Sequence, residues 1–189
     1  MTTGAKRALL IVGIGLAVTA MMTAYVLLHR KETTWLQAPC GDVQWARTRL
    51  PAAIYLTSEL PEDWIEPIKQ GLAVVDPWGK LGQFKGRLDL SASPPAYAVT
   101  ISQWNDDQHG NTRWEAGADC KIIRMFVSMP VLMLPGKTRV RAAAHELGHA
   151  WGLDHSDWET DIMYPKASSL FPFSLSDRDR ALLEEAYLR

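Results

Sequence analysis

The chain has 189 residues, which is enough for one ordinary domain with a short extension. Its formal net charge is −1, and no long basic or acidic block follows the N-terminal segment, so no nucleic-acid partner is expected. Eight tryptophans and a hydrophobic share of 47% exclude a disordered chain and indicate a packed globular domain.

An uncharged apolar run from Ala8 to Leu28 lies near the N-terminus, between Lys6-Arg7 and Arg30-Lys31. A helix of this length can cross about 30 Å of hydrocarbon, so residues 1–31 are predicted to be a single-pass membrane anchor. Small-residue sites such as Val18-Thr19-Ala20 leave a cleaved signal peptide, and hence a secreted protein, as the alternative. The charges on the two flanks are balanced, but a short basic N-terminus before a long domain favours an extracytoplasmic domain.

The segment after this run contains Thr, Gln, Pro and Gly with little periodicity, so residues 32–44 are predicted to be a linker and residues 45–189 the folded domain. A short apolar run at 52–56 predicts the first strand. Apolar residues at helical spacing predict a helix that begins at Pro61 and ends at Asp76-Pro77.

Three further strands are predicted, around residues 84–90, over 97–104 and over 120–129. In the second of these, Tyr97, Val99 and Ile101 alternate with Ala98, Thr100 and Ser102, a pattern that favours a strand. A helix is predicted over 140–151.

A polar turn follows the second of these strands and contains Asp106, Asp107 and His109. We interpret it as a solvated turn, with a calcium loop or an additional zinc site as alternatives.

The two cysteines, Cys40 and Cys120, both follow the apolar run. An even pair in an exported domain predicts a disulfide bond. Free buried thiols and a metal-capping role for Cys40 within Pro39-Cys40-Gly41 are the alternatives.

The most specific pattern in the chain is His-Glu-Leu-Gly-His-Ala-Trp-Gly-Leu-Asp-His, from His145 to His155. On a helix, His145 and His149 share one face, so both imidazoles can reach one metal ion. Gly152 can take a positive φ, which allows the helix to end and His155 to return as a third ligand. Three nitrogen ligands would leave a fourth position for water, as in catalytic zinc sites.

A second motif, Asp161-Ile162-Met163-Tyr164-Pro165, follows the third histidine. Together the two motifs resemble metzincin zinc metalloproteases, and among these the matrixins, the peptidase family of the matrix metalloproteinases. The resemblance implies an α+β catalytic domain, in which a twisted mixed β-sheet packs with an active-site helix, a backing helix and a C-terminal helix. That last helix is expected near residues 180–188, with Ser176 as its N-cap.

The resemblance also implies one catalytic Zn²⁺, held by His145, His149 and His155. Glu146 would be the general base for a zinc-activated water that attacks a peptide bond. A second zinc is not expected, because the chain lacks the His/Asp-rich segment of vertebrate matrixins.

Roles for three more residues follow from the resemblance. Met163 would form the Met-turn beneath the zinc ligands, where its role is packing. Tyr164 and Pro165 would form the wall of the substrate pocket.

The sequence therefore predicts a membrane-anchored zinc metalloendopeptidase that acts on a protein or peptide substrate. Two alternatives remain at this point: a membrane-anchored protein that binds peptides on the same fold without cleaving them, and a hydrolase of cell-wall peptides.

Overall fold

The computed structural model describes residues 36–89, 93–104, 110–130, 136–166 and 174–189. Its main feature is a mixed sheet of five strands. Its strands are β3 Ala52–Thr57, β4 Gly82–Leu88, β5 Ala98–Trp104, β6 Asn111–Ala116 and β7 Ile122–Pro130. They lie side by side in the order β4, β3, β5, β7, β6. The first four are parallel to one another, whereas β6 is antiparallel to β7 and forms one edge of the sheet. A separate small hairpin precedes the sheet, formed by β1 Gln37–Ala38 and β2 Gly41–Asp42.

Three helices accompany the sheet: α1 Ile65–Val75, α2 Lys137–Ala150 and α3 Asp177–Leu183. Helix α2 packs against α1 and also contacts β6 and β7. The mixed sheet with a backing helix, a long second helix and a C-terminal helix confirms the predicted α+β fold class.

Most elements predicted from local pattern are present, with shifted ends. The first strand and the helix after Pro61 are found where expected, and α2 begins at Lys137, earlier than the predicted residue 140. Ser176 is the N-cap of α3, since its Oγ accepts a hydrogen bond from the Asp179 amide at 3.1 Å. The C-terminal helix then continues as a π-helical turn at Glu184–Leu188.

Strand β6 was not expected from the sequence. Its residues are mostly polar, and Asn111, Arg113 and Glu115 are exposed while the residues between them are half-buried. An edge strand with so little apolar surface gives a weak alternating pattern, which is why the sequence does not reveal it.

The predicted strand over 97–104 begins one residue later than expected, at Ala98. Tyr97 precedes β5, has a φ of 60° and is 37% exposed. Within β5, Ala98 and Thr100 are buried as well as Val99 and Ile101. Buried residues thus follow one another in β5, which pairs with β3 along one edge and with β7 along the other, so burial does not alternate as the sequence does.

The part of the predicted linker that the structure describes is bonded to the domain. Leu36 donates its amide hydrogen to the Gly152 carbonyl at 2.7 Å, and the Ile122 amide donates to the Gln44 carbonyl at 2.8 Å. Val43 is completely buried. These contacts are long-range, so the polar local composition of residues 36–44 could not indicate them.

Cys40 and Cys120 form a disulfide bond, with 5.6 Å between their Cα atoms. This confirms the predicted pairing and excludes the free thiols and the metal-capping cysteine. The bond joins the hairpin to the residue that lies two positions before β7.

The apolar run Ala8–Leu28 and the turn with Asp106, Asp107 and His109 lie outside the described residues. Among the residues that are described, no helix has the length and apolar character needed to cross a membrane.

Gly71 in α1 allows the two long helices to approach closely. A Cβ atom at this position would lie 2.7 Å from the backbone nitrogen of Ala144 and 2.9 Å from the Cβ of Ala143, both in α2. Such contacts are too short for carbon atoms, so the helices would have to separate.

We therefore expect Gly71→Ala to lower the free energy of unfolding by about 1–3 kcal/mol, as overpacking of a core does. Helix propensity alone would change stability in the opposite direction, by about 1 kcal/mol. Chemical denaturation measures the difference. Gln70→Ala, an exposed change in the same helix, is the control and should change little. A stabilised Gly71→Ala protein would contradict the close packing.

Candidate active site

The end of helix α2 determines where the third histidine lies. Gly152 has a φ of 92°, the positive value that the sequence predicts for it. The Gly152 amide donates to the His149 carbonyl at 2.9 Å, and the Leu153 amide donates to the Gly148 carbonyl at 3.1 Å. This pair of bonds is a Schellman motif, which ends the helix and reverses the chain toward His155.

The remaining carbonyl groups at this helix end accept hydrogen bonds from distant parts of the chain. The donors are Trp45 Nε1 to Ala150 at 2.8 Å, the Tyr187 hydroxyl to Trp151 at 2.8 Å and the Leu36 amide to Gly152 at 2.7 Å. Carbonyl groups at a helix C-terminus have no partner within the helix, so these bonds satisfy groups that would otherwise be costly to bury. The position of the turn before His155 therefore depends on the whole domain.

The three predicted metal ligands, His145, His149 and His155, come together. One nitrogen of each ring lies within 4.8 Å of the other two. The Nε2 atoms of His149 and His155 are 3.2 Å apart, close to the ~3.4 Å separation of two ligands in a tetrahedral site with metal–nitrogen bonds of about 2.1 Å.

Backbone carbonyl groups orient two of the rings. His145 Nδ1 lies 2.8 Å from the Ile162 carbonyl oxygen, and His149 Nδ1 lies 2.6 Å from that of Leu153. A carbonyl oxygen only accepts, so each Nδ1 carries the proton and each Nε2 keeps its lone pair. That lone pair is the one that a metal ion would use.

Burial keeps these rings neutral. It lowers the pKa of His145 to about 4 and the pKa of His149 to about 3, and the neighbouring His145 contributes to the second shift. Metal binding requires unprotonated imidazole, so both rings are ready to bind at neutral pH. Three imidazoles with converging nitrogens suit a zinc ion.

The Glu146 side chain lies between α2 and the edge strand β6. Its Oε2 accepts a hydrogen bond from the Thr112 hydroxyl at 2.7 Å, and any Cβ atom on Gly110 would collide with the carboxylate. Burial raises the pKa of Glu146 to about 7, and the hydrogen bond from Thr112 opposes this shift. Gly110 and Thr112 are residues of the site that the sequence did not identify.

Met163, the predicted Met-turn residue, packs against helix α2. It is completely buried, and a Cβ atom on Gly148 would collide with its sulfur atom. The Ser156 amide donates to the Met163 carbonyl at 2.9 Å, which connects the segment after His155 to this turn. The Met-turn therefore packs directly beneath the residue that precedes His149.

Tyr164 and Pro165 follow the turn. Tyr164 is half-buried and Pro165 is exposed, and the Tyr164 amide donates to the Asp161 carbonyl at 3.2 Å. Residues 167–173 are outside the described part of the chain, so the pocket-wall role of Tyr164 and Pro165 stays a prediction.

The fold and the histidine cluster define a domain of the zinc metallopeptidase type. Residues 100–188 match the family model described as Matrixin, and this range contains the three histidines, Glu146 and Met163. This match agrees with the resemblance to matrixins that the two sequence motifs indicated. None of the curated proteins matches the chain.

Because Gly152 lies in the left-handed region, Gly152→Ala should lower the free energy of unfolding by about 1–2 kcal/mol. It should also weaken zinc binding several-fold, since His155 follows the reversed turn. Chemical denaturation and chelator competition measure the two effects. Gly152→Asn is the matched control and should lose less, because asparagine tolerates positive φ better than alanine. Equal stability of the alanine variant and the unmodified protein would contradict this account.

Proposed function

We propose that this protein is a zinc-dependent metalloendopeptidase, in which His145, His149 and His155 hold one zinc ion and Glu146 is the general base. The observation that carries the proposal is the convergence of three imidazole nitrogens within 4.8 Å, with Glu146 beside the first of them in α2. A zinc ion bound there would supply a Lewis acid for a peptide carbonyl and would promote deprotonation of water.

The two oxygens of Glu146 have different surroundings. The Thr112 hydroxyl donates to Oε2, whereas Oε1 lies against Gly110, where a Cβ atom would collide with it. We assign the Glu146 carboxylate as the group that accepts a proton from the attacking water and transfers it to the departing amine. Thr112 would hold the carboxylate in place while this happens.

The edge strand β6 offers a way to bind an extended peptide. Within the part of the chain that the structure describes, it pairs with β7 alone, and Thr112 in this strand and Gly110 just before it lie beside Glu146. An added peptide strand could pair with the open edge, which would bring its carbonyl groups toward the histidines. This arrangement supports a protein or peptide substrate.

The first test uses the full-length protein and its Glu146→Ala and His149→Ala variants. Glu146→Ala should keep zinc but lose peptide hydrolysis by at least about 10²-fold, because only the base is removed. His149→Ala should lose both zinc and activity, because it removes a ligand. Metal analysis and cleavage of a peptide library measure these outcomes.

The same assays decide between the alternatives. Zinc bound by the unmodified protein without cleavage of any peptide or protein would favour the non-catalytic peptide-binding protein. Release of fragments from purified cell walls, without digestion of unfolded protein, would instead favour the cell-wall hydrolase.

The second test concerns Thr112. Thr112→Val keeps the side-chain shape but removes the hydrogen bond to Glu146, so kcat/KM should fall about 10- to 100-fold with zinc content unchanged. Thr112→Ser, which keeps the hydroxyl, is the control and should retain most of the activity. If the valine and serine variants have equal kcat/KM values, Thr112 does not hold the base.

The membrane anchor at Ala8–Leu28 and the extracytoplasmic position of the domain stay predictions from the sequence. They are compatible with the disulfide bond, which is typical of oxidising compartments.

A further inference from the structure

Arg141 lies one helical turn before His145, on the same face of α2, and is only 2% exposed. A buried guanidinium group requires compensation for its lost hydration. The compensation comes from the Met-turn, the segment 161–163 that precedes Tyr164.

Two side chains of α2 bind two consecutive carbonyl groups of this segment. Arg141 Nη2 donates to the Asp161 carbonyl at 3.0 Å, and His145 Nδ1 lies 2.8 Å from the Ile162 carbonyl. Two side chains four residues apart on the helix thus bind the carbonyl groups of two adjacent residues in the turn. A shift of the turn at Asp161 would also displace the carbonyl group that orients His145.

Asp161 stabilises the turn from within. It is 4% exposed, its Oδ1 accepts a hydrogen bond from the Met163 amide at 3.2 Å, and its own amide donates to the Trp158 carbonyl at 2.9 Å. The Asp161 carboxylate therefore holds the backbone after Ile162, and the Asp161 amide holds the backbone before it.

The opposite charges of Arg141 and Asp161 compensate each other within this buried region. Arg141 Nη1 and Asp161 Oδ2 are buried and make no hydrogen bond among the described residues, so charge attraction contributes rather than a second hydrogen bond. Burial lowers the pKa of Arg141, and the Asp161 charge opposes this shift. Both groups also act electrostatically on His145.

We infer that Arg141 and Asp161 are positioning residues, which orient His145 for metal binding by fixing the turn 161–163 against α2. The inference rests on the proposed zinc site. A buried pair of opposite charges commonly contributes little net stability compared with an apolar pair. We therefore expect Arg141 and Asp161 to affect the orientation of His145 more than the stability of the fold. Groups that orient a metal ligand from outside the coordination sphere typically change metal affinity by 10- to 100-fold.

The test replaces both charges at once, with Arg141→Met/Asp161→Asn, so that no unpaired buried charge remains. Asparagine keeps an oxygen for the Met163 amide. The matched control is Arg139→Met/Asp63→Asn, which makes the same chemical changes in the ion pair of 2.6 Å between α2 and the segment before α1. Zinc affinity is measured by chelator competition on the metal-free full-length proteins, and the visible spectrum is recorded after loading with cobalt.

We expect the Arg141/Asp161 variant to fold, to bind zinc about tenfold more weakly and to show a changed cobalt spectrum, while the control keeps the affinity and spectrum of the unmodified protein. An affinity within twofold of the unmodified protein would overturn the inference. So would an equal loss in the control, or a variant that fails to fold, since the pair would then serve the fold rather than the ligand. None of these readouts requires catalysis, so a protein that binds zinc without cleaving peptides would refute the proposed function and leave this inference standing.

Discussion

The reversal of the chain at Gly152 is the constraint on which the rest of the site depends. One face of a helix supplies two imidazoles four residues apart, and a third ligand on the same helix would lie too far along its axis. The chain must therefore stop the helix and turn back within a few residues of His149. The positive φ of Gly152 makes that turn possible without steric cost, and the two Schellman hydrogen bonds hold it.

The turn is then held in place by residues that are far away in the sequence. Trp45, Tyr187 and Leu36 donate to three successive carbonyl groups at the helix end. Leu36 can reach Gly152 because the hairpin that follows it is joined to Cys120 by the disulfide bond. Tyr187 can reach Trp151 because the C-terminal helix returns to the domain. The ends of the described chain thus both contribute to the position of His155.

Local sequence pattern was sufficient for those parts of the site that depend on one helix and one turn. The spacing of His145 and His149, the positive φ of Gly152 and the burial of Met163 all follow from short motifs, and the structure agrees with each. Gly110 and Thr112 were missed because they reach Glu146 from an edge strand whose alternation is weak and whose position depends on pairing with β7. The contacts of residues 36–44 were not foreseen for a related reason, since they are long-range hydrogen bonds that local composition does not indicate.

Burial lowers the pKa of the histidines in this site and raises the pKa of the glutamate. Desolvation keeps the buried imidazoles of His145 and His149 uncharged, which leaves their lone pairs available without competition from protons. The same desolvation raises the pKa of Glu146, so the cost of keeping its carboxylate charged is partly offset by the Thr112 hydroxyl. A zinc ion in this centre would add positive charge where charged imidazoles are excluded and would favour the charged form of Glu146. Because the same tertiary contacts create the ligand geometry and the fold, zinc binding should stabilise the folded state as a whole, to an extent set by zinc concentration and affinity.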